Sequence, residues 1–75
     1  MEKLVLNYIG SDSWSRPVYE NDGTFFVDVD SRKWRQPEIC TKYNNNFDGE
    51  PDTPIIYIER YKNLELEFVP KRYVD

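Results

Sequence analysis

Apolar and polar residues alternate at every second position along much of the chain, and this pattern predicts β-strands. Three segments show it: residues 3–9, 24–30 and 64–69. The last is the cleanest, because Leu64, Leu66 and Phe68 alternate with Glu65, Glu67 and Val69. A period of two is typical of a strand with one face on the core and the other in solvent.

Turn-forming residues directly before the alternating run at 24–30 predict a hairpin. Asn21, Asp22 and Gly23 lie between a β-prone segment and the alternating run that begins at Thr24. Asn, Asp and Gly tolerate the positive φ angles that tight hairpin turns require. We therefore expect a hairpin over residues 18–29.

The apolar run at residues 55–59 predicts a central strand, because it is rich in β-branched residues and apolar on both faces. Tyr61, Lys62 and Asn63 separate it from the alternating run at 64–69. A loop of this length between two strands predicts a second hairpin.

The middle of the chain is compatible with two structures. Pro37 is suited to the first position of a helix, with Glu38 in its first turn. Residues 39–43 fit either one helical turn or a short strand, and the β-forming side chains of Ile39, Thr41 and Tyr43 favour the strand. The fold class predicted is mainly β: a single domain over residues 1–75, with five or six short strands in a small antiparallel sheet or partly open barrel and at most one short helix.

Composition adds limits on size, compartment and partners. A chain of 75 residues buries a small core, and an aromatic content of 16% supplies much of its apolar area. The net charge of −4 has the wrong sign for easy phosphate binding. A lone cysteine, the absence of a signal-peptide pattern and the absence of a long apolar run lead us to expect a cytoplasmic protein that does not enter membranes.

The sequence contains few of the residue types on which enzyme active sites depend. The chain has no histidine, so it has no Ser-His or Cys-His pair, and no Cys/His cluster for zinc. Its one thiol, Cys40, lies in an apolar-looking strand and is predicted to be a small core residue. We predict no enzymatic activity, no catalytic residue and no cofactor.

The segment NNNFDGEPDTP at residues 44–54 raises the question of a metal loop. Asn44, Asn46, Asp48 and Gly49 match the opening of a calcium-binding loop. Such a loop closes with a glutamate at its twelfth position, and here that position is Ile55. We therefore predict no metal site, and two interpretations remain: a binding surface, or only a structured connection between strands.

We favour a protein-binding surface on this segment. Phe47 is expected to anchor the loop by burying its ring, while the acidic side chains face solvent. Trp14, between two serines, is either an exposed contact residue of the kind enriched at interfaces or a lid on the core. The predicted protein-binding residues are Asn46, Phe47, Asp48, Glu50, Asp52 and Trp14.

The alternative is nucleic-acid binding through residues 32–35, where basic residues surround a tryptophan. Against it, the segment carries only three positive charges, and Asp28 and Asp30 precede it and would repel phosphate. We favour a structural interpretation of this segment over nucleic-acid binding: the tryptophan covers the core and the bases are solvated. The residues of this alternative are Arg32, Lys33, Trp34 and Arg35.

Three segments in a fixed order carry a resemblance to known proteins: RPVYENDG at 16–23, ICTKYNNNFDGEPDTPI at 39–55 and EFVPKR at 67–72. The order resembles that of small uncharacterised proteins carried by phages and conjugative elements of gut bacteria, and is similar to one of the large polyvalent protein-associated domain families. The resemblance spans residues 14–72 and is most specific at 46–52. It implies a bacterial or phage setting and an accessory role, such as establishing the element or blunting host defence, without indicating a mechanism or a catalytic residue.

The functional hypothesis is thus a non-enzymatic accessory protein of a mobile genetic element that binds a host or element protein. An inhibitor of a host nuclease is a third possibility, since it combines protein binding with a negative surface.

Overall fold

Six β-strands form one open sheet in the computed structural model, which describes residues 2–29 and 38–69. Two short 3-10 turns accompany them, and no α-helix occurs within these two ranges. The strands are β1 (Lys3–Ser11), β2 (Pro17–Asn21), β3 (Thr24–Asp28), β4 (Ile39–Lys42), β5 (Pro51–Pro54) and β6 (Glu65–Val69), and the 3-10 turns are Tyr43–Asn45 and Ile55–Tyr57.

The order of strands across the sheet is β5-β4-β3-β2-β1-β6. From β1 to β5, each strand pairs antiparallel with the next one along the chain. β6 instead pairs parallel to β1, with Leu66 beside Leu4 and Phe68 beside Leu6. The mainly β fold with five or six short strands is confirmed, while the sheet is open rather than closed and contains one parallel pair that the alternation did not predict.

The predicted hairpin is confirmed as β2 and β3. Asn21 pairs with Thr24, and the two residues between them, Asp22 and Gly23, have φ angles of 49° and 82°. Two successive positive φ angles characterise the tight turn whose twist matches that of paired strands. The strand interpretation of residues 39–43 is confirmed over Ile39–Lys42, whereas the predicted helix start at Pro37 lies outside the described residues.

The predicted central strand at 55–59, and with it the second hairpin, is wrong. Ile55–Tyr57 is a 3-10 turn, and backbone bonds from the amides of Ile58, Tyr61 and Leu64 to the carbonyls three residues earlier continue the turns. The physical reason is a period of three, because residues 55, 58, 61 and 64 are all apolar and all pack on the core. These turns carry the chain across the sheet from β5 at one edge to β6 at the other.

One face of the sheet, here called the core face, carries the main hydrophobic cluster. Strands β1 to β4 contribute its fully buried side chains, and the turns after β5 cover them. The partly buried residues of β6 complete its edge, with Glu65 and Glu67 pointing away as the alternation predicts. The buried members are Leu4, Leu6, Tyr19, Phe26, Ile39 and Ile55, and the partly buried members are Ile58, Tyr61, Leu64, Leu66 and Phe68.

The second face of the sheet is also buried near its centre. Val18 pairs with Val27 and Val27 with Cys40, so these three side chains lie on one face. All three are buried, which confirms Cys40 as a small core residue. Burial raises the pKa of the Cys40 thiol, and the charges of Glu38 and Asp28 raise it further, so the thiol stays protonated and unreactive at neutral pH.

Alanine substitutions along residues 55–58 test the period of three. We expect Ile55→Ala to lower the free energy of unfolding by about 2–5 kcal/mol and Ile58→Ala by about 1–2 kcal/mol, because both side chains pack on the core. Ile56→Ala and Tyr57→Ala should change it by about 0.5 kcal/mol or less, since both side chains are exposed. Urea unfolding gives the values. If residues 55–58 formed a strand, the large losses of unfolding free energy would instead occur together at positions 55 and 57, or at 56 and 58.

Candidate functional site

A buried ion pair lies on the second face of the sheet. Lys42 shares that face with Cys40, two positions earlier in β4. Its Nζ donates to Oδ2 of Asp12 over 2.6 Å, and neither side chain is exposed to solvent. Lys42 Nζ also donates to the carbonyl oxygen of Gly49 over 2.9 Å. The pair therefore joins the turn after β1 to the loop after β4.

Asp12 also organises the turn at residues 12–16. Its Oδ1 accepts hydrogen bonds from the backbone amides of Trp14 and Arg16 at 2.9 and 3.0 Å, and its Oδ2 accepts from Arg16 Nε at 3.3 Å. Ser15 takes a φ of 62°, and its amide donates to the Asp12 carbonyl. An aspartate that closes its own turn in this way fixes the backbone of the residues after it.

Trp14 is held on the outside of this turn. Its side chain is 55% exposed, and the Arg16 guanidinium lies 4.9 Å from the centre of its ring. The predicted alternatives for Trp14 were an exposed contact residue and a lid on the core, and the structure has the exposed side chain. Its backbone is fixed while its ring faces solvent.

The ionisation of Asp12 follows from its surroundings. Burial by itself raises the pKa of the carboxyl, but hydrogen bonds from Lys42 and from the backbone of Arg16 and Trp14, with the charge of Lys42, outweigh it and lower the pKa from 3.8 to about 2. Asp12 is therefore ionised throughout the physiological range.

The loop at residues 43–50 is closed by its own hydrogen bonds. The amide of Tyr43 donates to the carbonyl of Glu50, that of Gly49 to Asn46, and that of Asp48 to the side chain of Asn46, at 2.8, 2.9 and 3.0 Å. A Cβ at Gly49 would lie 2.6 Å from the Tyr43 carbonyl oxygen, so this position requires glycine. The polar residues of NNNFDGE thus build a defined loop.

Side chains attach this loop to its neighbours in the sheet. Asn45 accepts from the amide of Phe25 at 2.7 Å and donates to the carbonyl of Gly23 at 2.8 Å. Phe47 is half-buried, and its ring stands edge-to-face with that of Phe25 at a centroid distance of 6.2 Å. Asp48 accepts from the amide of Ser13 over 3.1 Å, which joins the loop to the Trp14 turn.

The structure thus brings two separately predicted candidates together, since Asp48 and Trp14 belong to segments that bond to each other. Asn46, Asp48, Glu50 and Asp52 are all exposed, and Phe47 anchors the loop with a half-buried ring. Asp52 lies on β5 at the edge of the sheet. Glu50 and Asp52 form no ion pair with another residue of the described ranges. The alternative residues Arg32, Lys33, Trp34 and Arg35 lie outside the described residues.

Lys42 and Asp12 were not predicted as a pair. One signal was present, because alternation in β4 puts Lys42 on the face of the predicted core residue Cys40. A lysine directed inward requires a buried anionic partner. The sequence does not indicate which of the 14 acids supplies it.

Within residues 2–29 and 38–69, no group of three or more cysteine, aspartate or glutamate side chains is arranged to hold a metal ion. In the same ranges, no helix has the length and apolar character needed to cross a membrane. Comparisons with protein families, with curated proteins and with solved structures find no match. The site is therefore interpreted from its own geometry and charge.

The lowered pKa of Asp12 predicts how much of the free energy of unfolding is lost at acid pH. The folded pKa of about 2 lies below the ordinary 3.8, so the carboxylate contributes about 2 kcal/mol above pH 5 that is lost as the pH falls towards 2. Asp12→Asn should remove that part of the pH dependence of unfolding free energy. Asp52→Asn, at an exposed position, should keep it. Equal pH profiles for the wild type and Asp12→Asn would show that folding does not lower the pKa of Asp12.

Proposed function

We propose that this chain is a non-enzymatic protein-binding module whose contact surface combines the turn at 12–16 with the loop at 43–50 and the adjoining Asp52. This set is called the docking surface below. The observation that carries the proposal is Trp14, a large aromatic side chain that is 55% exposed although its backbone is held by a fully buried ion pair. Tryptophan is among the residues most enriched in binding hot spots.

Preorganisation is the physical advantage of such a surface. Binding normally loses free energy when loops and side chains become ordered. Here Asp12 already fixes the turn, and the Asp48 bond to Ser13 already fixes the loop against it. A partner that packs on the Trp14 ring therefore has little backbone to order, and more of the contact energy remains as affinity.

The charge of the surface indicates the kind of partner. The described residues include twelve acids and five bases, and four of the bases, Lys3, Arg16, Lys42 and Lys62, are already in ion pairs. Glu50 and Asp52 are exposed and unpaired within the described ranges. Such an excess of negative charge attracts a partner surface that carries lysine and arginine and raises its association rate.

The biological setting of the proposal is the cytoplasm of a bacterial cell that carries the phage or conjugative element. The resemblance to proteins of phages and conjugative elements supports an accessory role, and an inhibitor of a host nuclease would use the same acidic surface. Nucleic-acid binding through residues 32–35 is the weaker alternative, because the negative charge of the described residues opposes phosphate.

Capture from a lysate of bacterial host cells, with and without nuclease treatment, supplies the partner for the test. With that partner purified, Trp14→Ala should raise the dissociation constant tenfold or more, because the ring is the expected hot spot. Val69→Ala, an exposed apolar position on β6, should leave it unchanged. Calorimetry or surface plasmon resonance gives both values.

Two outcomes of this experiment contradict the proposal. Capture that disappears after nuclease treatment would show that nucleic acid mediates it. An unchanged affinity in Trp14→Ala, in a variant that keeps its circular dichroism spectrum and melting temperature, would show that the docking surface lies elsewhere.

A further inference from the structure

Arg16, the last residue of the Trp14 turn, has a guanidinium group that two neighbours hold in place. Its Nε donates to Oδ2 of Asp12 over 3.3 Å, and its Cζ lies 4.9 Å from the centre of the Trp14 ring. Asp12 is itself fixed by its buried pair with Lys42, and the Arg16 side chain is only 24% exposed. This arginine is therefore ordered before anything binds to it.

The two terminal nitrogens of Arg16 are available to a ligand. A guanidinium donates hydrogen bonds from Nε and from the terminal nitrogens Nη1 and Nη2. Within the described residues, neither terminal nitrogen donates a hydrogen bond, and neither is among the buried polar atoms that lack a partner, so both reach solvent. Their parallel N–H groups match the two oxygens of a carboxylate.

The charges around Arg16 favour an anion at this position. Arg16, Lys42 and Asp12 form one connected group, in which two positive charges accompany one negative charge. Asp48 also bonds to this turn, at the amide of Ser13, but forms no ion pair with Arg16. A lysine or arginine of a partner would be repelled by Arg16 and is better placed opposite the exposed acids of the docking surface.

We propose that Arg16 binds a carboxylate of the protein partner, from an aspartate or glutamate side chain, through Nη1 and Nη2. The inference rests on the proposed docking surface and specifies its chemistry: the partner presents an acidic side chain beside Trp14 and basic side chains opposite the acidic loop. Two parallel hydrogen bonds between a guanidinium and a carboxylate fix their mutual orientation. This mixed pattern would also discriminate against partners whose surface is uniformly basic.

A titration with acetate tests the site without the partner, because acetate carries the same carboxylate as an aspartate or glutamate side chain. Nuclear magnetic resonance follows the arginine Nε–H signals of the whole chain at constant ionic strength, with chloride as the reference anion. We expect a saturable shift at Arg16, with a dissociation constant on the order of 0.1 M.

Arg60 is the matched internal control in the same spectra. Its guanidinium also lies near an aromatic ring, 5.8 Å from the centre of that of Tyr61, but within the described residues no ion pair holds it. Acetate should bind at Arg60 about threefold to tenfold more weakly than at Arg16, because the Arg60 side chain must first become ordered.

The partner captured from the host lysate supplies the second part of the test. Arg16→Lys keeps the positive charge but removes the pair of parallel donors, so it should raise the dissociation constant about tenfold. Arg60→Lys should leave it unchanged. The circular dichroism spectrum and melting temperature of Arg16→Lys check that the fold is retained, and the acetate titration of the wild type decides the matter if it is not.

Equal acetate affinities at Arg16 and Arg60 overturn the proposal. Inorganic phosphate that binds at Arg16 at least tenfold more tightly than acetate would also overturn it and assign the site to a phosphate-bearing partner such as nucleic acid. A partner that loses affinity in Trp14→Ala but not in Arg16→Lys would contradict this inference and leave the proposed function intact. The reverse result would support the carboxylate contact and contradict Trp14 as the hot spot.

Discussion

Lysine and aspartate side chains lose their hydration when a sheet buries them, and they stay charged there only if protein groups replace the lost water. Lys42 and Asp12 meet this condition through each other, the Gly49 carbonyl, and the amides of Trp14 and Arg16. Because the donors and acceptors come from the turn after β1 and the loop after β4, both segments are fixed by the same requirement. Removing Asp12 would leave the Lys42 ammonium buried without an ionic partner, at about 3–5 kcal/mol. Removing Lys42 would leave Asp12 with Arg16 as its only charged partner within the described residues.

The two faces of the sheet are thus stabilised by different means. The core face depends on apolar packing, with the successive turns of residues 55–64 laid across strands β1 to β4. The second face combines a few buried apolar residues with the polar network around Asp12 and Lys42. The apolar turns present Ile56 and Tyr57 on the exterior, and the polar network presents Trp14 beside an acidic loop. A small domain thereby has two exposed aromatic features in separate settings.

Local patterns in the sequence were enough for part of this fold. Alternation predicted β3, β6 and most of β1, and Asn21-Asp22-Gly23 predicted the hairpin, because each depends on neighbours within a few residues. The turns at 55–64 were mistaken for a strand, since a short apolar run is compatible with periods of two and three alike. The parallel pairing of β6 with β1 follows from where those turns lead the chain, which no local signal specifies.

The candidate site shows the same limit. The asparagines and Gly49 predicted a structured loop, and their side-chain and backbone bonds explain it. The contact between Asp48 and Ser13, and the pair between Asp12 and Lys42, join residues 35 and 30 positions apart. Pairings at that separation depend on the assembled sheet. Sequence reasoning could therefore find Trp14 and the acidic loop, but could not place them together.

Amide hydrogen exchange measured by nuclear magnetic resonance tests most directly whether the buried pair holds the Trp14 turn. In Lys42→Met, the amides of Trp14 and Arg16 should exchange at least tenfold faster relative to a core amide such as that of Val27, because Asp12 then loses its buried Lys42 partner and keeps only the partly exposed Arg16 side chain beside it. Lys62→Met, which removes an exposed ion pair with Glu59, should leave that ratio unchanged. Equal relative protection of Trp14 and Arg16 in Lys42→Met and the wild type would show that the turn is stable without the buried pair.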